Sequence, residues 1–447
     1  MTGRDAAPGV PRPSADPRAG PLAALVAQLG HSEWRSPAEI AAGQRRQLGA
    51  LAAHCAAQSP QFRARLEAAG LDAVALAQPG GLRRLTPMGR RDVQAWDQLH
   101  CREVPARHMP LGEASTSGST GEPVRVVRTA VNQLDWLAMT MRDHLWHGRE
   151  FGGRLAAIRA NISAPAEQTT WGPPVNLLYE SGPSLSLPIA LDAADLVRAL
   201  ADFGPTSLIA YPSTLLAIAE QLERQGARLT SLRELRTVGE TLPASTREAV
   251  RRVVGLPIAD TYSSQEVGYI ALQCPASGFY HVMAETLIVE VLSPAGAACG
   301  EGAVGRVVVT DLRNFATPLI RYDIGDYAEV AGPCPCGRGL PTLRRILGRE
   351  RNFVRMPDGR RHWPLVGFAG FRAIAPVVQY QLIQVEAEAI EARLVVERPL
   401  ASAEETALAA HIQAALGHPF EIRFTYFTGR LPTGPSGKFE EFVCRVV

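Results

Sequence analysis

Ser207-Leu-Ile-Ala-Tyr211-Pro212-Ser-Thr-Leu-Leu-Ala-Ile-Ala-Glu-Gln-Leu-Glu-Arg-Gln-Gly226 is the stretch that decides the fold. Its first residues are a short apolar run of strand character. Pro212 can open a helix, because the first helical turn leaves its N–H groups unused. Leu215, Leu216, Ile218, Ala219 and Leu222 then share one helical face, and Gly226 can close the helix in the left-handed conformation. The next unit repeats the pattern. Leu235-Arg-Thr-Val238 reads as a strand, Gly239-Glu-Thr as a turn, residues 243–254 as a helix and Ile258-Ala-Asp-Thr-Tyr262 as a returning strand. Strands alternating with helices predict an α/β fold with a mostly parallel sheet and helices on its faces.

Outward from this core the character changes on both sides. Residues 22–85 carry apolar residues at three- and four-residue spacing and read as helical. Beyond Glu285, the runs 287–292 and 304–310 flank a Gly- and Pro-rich turn, which predicts an antiparallel β subdomain. A small α+β lobe closes the chain, with strands at 377–385 and 392–397, a helix at 403–416 and a strand at 421–427. The expected division is a disordered tail over 1–20, a large N-terminal domain over 21–347, a hinge at 348–352 and a mobile C-terminal lobe over 353–447.

Composition excludes several functions. Apolar residues make up 46% and charged residues 20% of the 447, as in a soluble globular protein. A net charge of +2 offers no field for nucleic acid or an anionic membrane surface. No apolar run is long enough to span a bilayer, and residues 1–20 lack the apolar region of a signal peptide. Seven cysteines scattered over a long chain point to reduced thiols and a cytoplasmic setting, not a disulfide framework. Lys438 is the only lysine among 46 basic residues. An ammonium is a compact point charge that the planar arginine fork cannot replace where one moving oxygen must be met. Chance survival on a solvated loop is the plain alternative.

Three motifs carry chemistry. Ser115-Thr-Ser117-Gly-Ser119-Thr120-Gly121-Glu-Pro123 is rich in small residues whose backbone N–H groups and hydroxyls can ligate phosphate oxygens. It is not the G-x-x-x-x-G-K-[ST] loop, and a flexible surface turn would look the same. Asp260-Thr-Tyr262-Ser263-Ser-Gln-Glu266-Val-Gly268 ends a predicted strand, where parallel sheets bind ligands. Tyr262 could stack on a base and Glu266 could hold a magnesium ion; an ordinary turn with a solvated Glu266 is the alternative. Thr317-Pro-Leu-Ile-Arg321-Tyr-Asp323-Ile-Gly-Asp326 sets charge where a core strand runs out. Asp326 could accept both hydroxyls of a ribose, while Arg321 reads as half of a structural Arg–Asp pair.

In this order the motifs resemble the acyl-adenylate-forming superfamily, the acyl-CoA synthetases and peptide-synthetase adenylation domains. Ala316-Thr-Pro-Leu-Ile-Arg-Tyr, Tyr211-Pro-Ser and Cys334-Pro-Cys-Gly-Arg338 are most similar to its phenylacetate–CoA ligase branch. The resemblance implies that Ser117, Ser119, Thr120 and Gly121 bind phosphate. Gly239, Glu240, Thr241 and Tyr262 would bind adenine, Ser263 the nucleotide, and Asp326 and Arg349 the ribose. Lys438 and Glu266 would be catalytic, with Glu266 on magnesium. Implied with them are ATP, a small carboxylic acid and a thiol acceptor, coenzyme A, with a carrier protein or an amine in trans as rival acceptors. Tyr179, Tyr211 and Pro212 would line the acyl pocket. Together with Trp171, which could equally be a core aromatic, the two tyrosines point to a flat aryl acid.

The chain departs from the family in two places. Glu122 stands where these ligases carry a lysine, and Arg351-Asn352 where they carry an aspartate. Arg90, Arg91 or Arg125 could compensate for Glu122. A degenerate nucleotide binder is the non-enzymatic alternative, against which the retained Lys438 argues. Cys274, His281, Cys334 and Cys336 supply three thiols and an imidazole, a donor set for tetrahedral zinc; a rigid Cys-Pro-Cys turn and a core histidine are the alternative.

Overall fold

The helix Pro212–Gln225 opens at its proline and stops before Gly226, which takes a φ of +60°. The next helix, Ala244–Val254, ends the same way at Gly255, with a φ of +81°. Gly226 acts as the sequence predicts, and Gly255 ends the helix expected over 243–254 in the same way. The computed structural model describes residues 14, 16–115, 124–349, 353–359, 361–362, 368–429, 431–432 and 439–446. Ser117, Ser119, Thr120, Gly121, Glu122, the 350–352 part of the expected hinge and Lys438 lie outside these residues. So does most of the expected tail, although the helix Ala19–Ser32 already starts inside it.

Strands β1 (Leu111–Ser115) and β2 (Arg125–Thr129) form an antiparallel ribbon. Twelve strands come next: β3 (Leu155–Arg159), β4 (Ala166–Gln168), β5 (Ser184–Pro188), β6 (Ser207–Ala210), β7 (Glu234–Val238), β8 (Ile258–Ser264), β9 (Gly268–Gln273), β10 (Tyr280–Val282), β11 (Leu287–Leu292), β12 (Val304–Asp311), β13 (Tyr322–Val330) and β14 (Thr342–Arg349). They make one sheet in the order β11-β12-β13-β14-β10-β9-β8-β7-β6-β3-β5-β4. Neighbours from β5 through β3, β6 and β7 to β8 are parallel. The pairs β8–β9, β9–β10, β10–β14, β11–β12 and β12–β13 are antiparallel. The α/β part and the antiparallel part expected from sequence are thus one continuous sheet.

Contacts divide the chain into two compact units. The first holds Met1–Tyr211, Arg228–Gly239 and Pro257–Ile346. Its main core gathers Ile270, Leu272, Val307, Val309 and Ile324 from the sheet, with Leu137 and Met139 from the helix Ala130–Trp146. That helix starts on a capping box, Thr129 and Asn132 satisfying each other's backbone N–H groups.

The second unit holds Pro212–Ala227, Glu240–Leu256 and Leu347–Val447. Here β15 (Val354–Arg355) pairs with β16 (Arg361–His362). Beyond them lies a four-stranded sheet of β17 (Val377–Glu386), β18 (Ala389–Val396), β19 (Glu421–Phe427) and β20 (Phe442–Cys444), ordered β19-β18-β17-β20. The helix Ser402–Leu416 buries Leu408, Ile412 and Leu416 in one core with Ile390, Leu394 and Phe420. β18 begins at Ala389, three residues before the expected start, because Glu386 pairs with Ala389 across a tight turn. Among the described residues no helix is long and apolar enough to cross a membrane.

Candidate active site

Parallel strands carry their carboxyl ends to one edge, and their register aligns the loops that leave it. Ala157 faces Ile209, so Arg159 lies beside Tyr211 two residues on. Val238 faces Thr261, so Gly239 lies beside Tyr262. Gly239 has a φ of +81°, and a Cβ there would stand 2.8 Å from the Tyr211 ring. Only glycine meets both conditions, and the turn therefore lays its backbone against an aromatic face. The Tyr211 hydroxyl accepts a 3.4 Å hydrogen bond from the Ala160 N–H, which ties this ring to the end of β3.

Tyr262 and Asp326 come together as their motifs anticipate. The buried Tyr262 hydroxyl donates to Asp326 Oδ2 at 2.8 Å and fixes a half-buried carboxylate on β13 beside the end of β8. Ser263 also sits at the end of β8, but the motif does not stop in a loop. It folds into the β8–β9 hairpin, where Ser264 pairs with Gly268 and its Oγ accepts from Val267 N at 3.2 Å. Glu266 is in that turn and is only 4% exposed, so it is not a solvated residue. Arg128 donates to the Gln265 carbonyl at 3.0 Å. Burial lowers its pKa, while the fields of Asp311 and Glu266 oppose that shift. Sequence reading missed Arg128, which offers no motif of its own. A lone hard carboxylate such as Glu266 is a fitting magnesium ligand, since that ion takes one or two carboxylates and completes its shell with water and phosphate.

Other predicted residues have structural work. Pro212 is buried at the start of its helix, and Ser213 N donates to Glu240 Oε2 at 3.1 Å. Glu240 of the 239–241 turn thus places a negative charge on a helix N-terminus. Thr241 is half-buried in the same turn, and Arg349 half-buried at the end of β14. Tyr179 packs on Phe151 at 5.1 Å between ring centroids. Trp171 is a core residue, buried with Phe151 and donating from Nε1 to the Gly153 carbonyl at 2.9 Å. Arg125 lies 3.8 Å from Glu113 across the β1–β2 ribbon. The expected Arg–Asp pair is corrected: Arg321 binds Glu290 at 2.8 Å, and Asp323 instead takes Arg306 at 2.6 Å. Arg321 also donates to the Arg83 and Leu85 carbonyls, from a left-handed φ of +54°.

The four candidate zinc ligands meet. Cys274 comes directly after β9, His281 lies on β10, and Cys334 and Cys336 lie in the connection from β13 to β14, which pairs with β10. Their donor atoms all lie within 4.8 Å of one another. The Cys274 and Cys334 sulfurs are 3.8 Å apart, and Cys336 Sγ is 3.3 Å from His281 Nε2. A tetrahedral zinc with sulfur at about 2.3 Å would set two sulfurs about 3.8 Å apart, so the donor set fits. Burial pushes the Cys336 thiol up to about 11. Burial also opposes ionisation of Cys274, but hydrogen bonds from His281 and Ser277 pull it down to about 5.

A tyrosine locked to a carboxylate and a glycine-sharpened turn thus lie together at the carboxyl edge of the sheet. Residues 81–311 match the sequence model of the AMP-binding enzyme family, and the chain belongs to that family. It is 24% identical over 329 residues to the phenylacetate-coenzyme A ligase of Aromatoleum evansii, covering 72% of this chain and 73% of that one. The phenylacetate-coenzyme A ligase of Escherichia coli K12 is likewise 24% identical over 347 residues, with 73% and 75% covered. The fold matches the crystal structure of 2-hydroxyisobutyryl-CoA ligase in its postadenylation state, with a TM-score of 0.73, 18% identity and 97% and 94% coverage.

Proposed function

We propose that this chain is an AMP-forming acid–CoA ligase. The carboxylate of an aromatic acid attacks the α-phosphorus of ATP, and pyrophosphate leaves. The thiol of coenzyme A then displaces AMP from the acyl-adenylate. The observation that carries this reading is the row Tyr211, Gly239, Tyr262, Asp326 at one sheet edge, in a chain of the AMP-binding enzyme family.

In this reading Tyr262 and the Gly239–Thr241 turn receive adenine, while Asp326 and Arg349 hold the ribose hydroxyls. Ser117, Ser119, Thr120 and Gly121 wrap the phosphates. Lys438 neutralises the charge that grows on the α-phosphate and the attacking carboxylate, the type of preorganised contact that lowers a barrier most. Residues 21–347 form the nucleotide- and acid-binding lobe, 348–352 a hinge, and 353–447 the lobe that brings Lys438 and later withdraws it, a gating step. Glu266 would hold magnesium, whose charge offsets that of the phosphates when bound. Cys274, His281, Cys334 and Cys336 would hold zinc, which when bound cross-links β9, β10 and the loop before β14. Scattered free thiols fit a reducing cytoplasm.

The test is acid-dependent exchange of labelled pyrophosphate into ATP across aromatic and aliphatic acids, with coenzyme A added afterwards. Exchange with at least one acid, and thioester on adding coenzyme A, is expected. No exchange with any acid would remove the reading, and transfer only to a carrier protein or hydroxylamine would replace the acceptor.

A further inference from the structure

Arg159 ends β3 on the carboxyl edge of the parallel strands, beside Tyr211. Strand alternation puts it on the same sheet face as Leu155. Leu155 belongs to an apolar cluster with Met141, Phe151 and Ile209, against which Tyr179 and Val238 pack. Arg159 therefore follows a buried apolar core outward to the sheet edge and ends beside Tyr211, an aromatic that the resemblance assigns to the acyl pocket. Its side chain is half-buried, and among the described residues its guanidinium makes no hydrogen bond or ion pair.

The surrounding charge makes that isolation informative. The strongest fields at Arg159 come from Arg236, Tyr211 and Tyr269, and none of these three is a carboxylate. Arg236 is engaged with Asp143, which also binds Arg149 at 2.7 Å, and Arg149 binds Glu234 at 2.6 Å. Three guanidiniums thus share this region of the first unit with two carboxylates, both already taken. Burial and the like charge of Arg236 lower the Arg159 pKa, which is the cost of a cation held there without a counter-ion. A buried charge is retained where a partner arrives to satisfy it.

We infer that Arg159 is a specificity-determining residue that binds a second anionic group on the acid substrate, most simply a second carboxylate, remote from the carboxylate that is activated. The inference rests on the acid–CoA ligase reading and narrows its substrate class. An aryl or alkyl body would lie at the carboxyl edge beside Tyr211, and its far end would pair with the planar fork of Arg159.

Pyrophosphate exchange with matched pairs tests it: 4-carboxyphenylacetate against 4-methylphenylacetate, and adipate against hexanoate. The wild type should prefer the diacid of at least one pair by about ten- to a hundredfold in kcat/KM, carried by KM. Arg159→Leu should erase that preference while leaving the monoacid unchanged or improved, which also reports an intact fold. Arg159→Lys should retain part of it. Equal use of both members by the wild type would overturn the inference, as would a variant that loses every acid alike, because Arg159 would then meet the reacting carboxylate or support the fold. If no acid supports exchange, the ligase reading fails, and calorimetry on the same pairs decides this point separately. Diacid binding weakened only in Arg159→Leu would sustain the anion site, and equal binding to both proteins would reject it.

Discussion

Asp326→Ala should weaken ATP binding by about 1.5–3 kcal/mol, or roughly ten- to 150-fold, the worth of charge-assisted hydrogen bonds to the ribose hydroxyls. Asp326 is also the acceptor for the Tyr262 hydroxyl at 2.8 Å, so the same change removes this acceptor from a buried donor. That second effect costs about 1–3 kcal/mol, but it acts on folding, not on nucleotide affinity. Tyr262→Phe separates the two. It keeps the ring and the carboxylate and deletes the bond between them, and Asp326 is half-buried. Its ATP affinity should therefore fall less than about tenfold, and its stability by about 1 kcal/mol. The assays are calorimetric titration of ATP and urea unfolding of both variants and the double variant. Unchanged ATP affinity in Asp326→Ala would refute the ribose assignment. A larger loss in Tyr262→Phe than in Asp326→Ala would show that the hydroxyl, not the carboxylate, reads the nucleotide.

The same geometry sets further outcomes. Purified protein should carry about one zinc per chain, and Cys336→Ser should lose it and destabilise the large sheet, as metal analysis and thermal unfolding would report; metal-free protein that is equally active and stable would exclude the site. Lys438→Ala should cut pyrophosphate exchange by at least about a hundredfold, and Lys438→Arg nearly as much. Both variants should still convert a supplied acyl-adenylate to thioester, and near-normal exchange in the arginine variant would contradict the role. Asp143 is 1% exposed, and although burial opposes its ionisation, Arg149, Arg236 and His147 hold its carboxyl well below the usual range. Asp143→Asn should cost about 3–5 kcal/mol near neutral pH by leaving two buried guanidiniums short of a counter-charge. A depressed carboxyl contributes above its unfolded pKa of about 3.9 and loses that contribution as pH falls through its folded value. The difference between wild type and variant should thus hold from pH 7 to 5 and shrink below about pH 4; a constant difference down to pH 2 would assign the loss to packing.

The order of elements was legible wherever it rested on local signals. Pro212 and Gly226 mark helix ends because φ and the missing N–H are properties of single residues. The hairpin of residues 287–311 declared itself by alternating runs around a flexible turn. What the sequence could not declare depended on partners far along the chain. Glu290, not Asp323, meets Arg321 because β11 and β13 both pair with β12, a register that no local pattern specifies. The pairing of β10 with β14 is what collects Cys274, His281, Cys334 and Cys336, so the donor set was readable from ligand type and count, and the strand pairing that assembles it was not. Arg128 and Arg159 were invisible for a related reason. In a chain so rich in arginine, one more arginine carries no signal until its surroundings are known.

Arg321 makes two demands that no other residue can meet together. Its backbone sits at a φ of +54°, which glycine or asparagine would occupy more comfortably. Its side chain must reach Glu290 and two carbonyls at once, which needs the planar fork. Glycine would relax the chain and forfeit the staple, and lysine would keep the charge but not the geometry. In a saturation scan scored by activity, position 321 would therefore be as intolerant as a catalytic one. A map of such scores would draw the active site one residue too wide, and the error would be told apart by stability, since every allele at 321 should fail at folding before it fails at turnover.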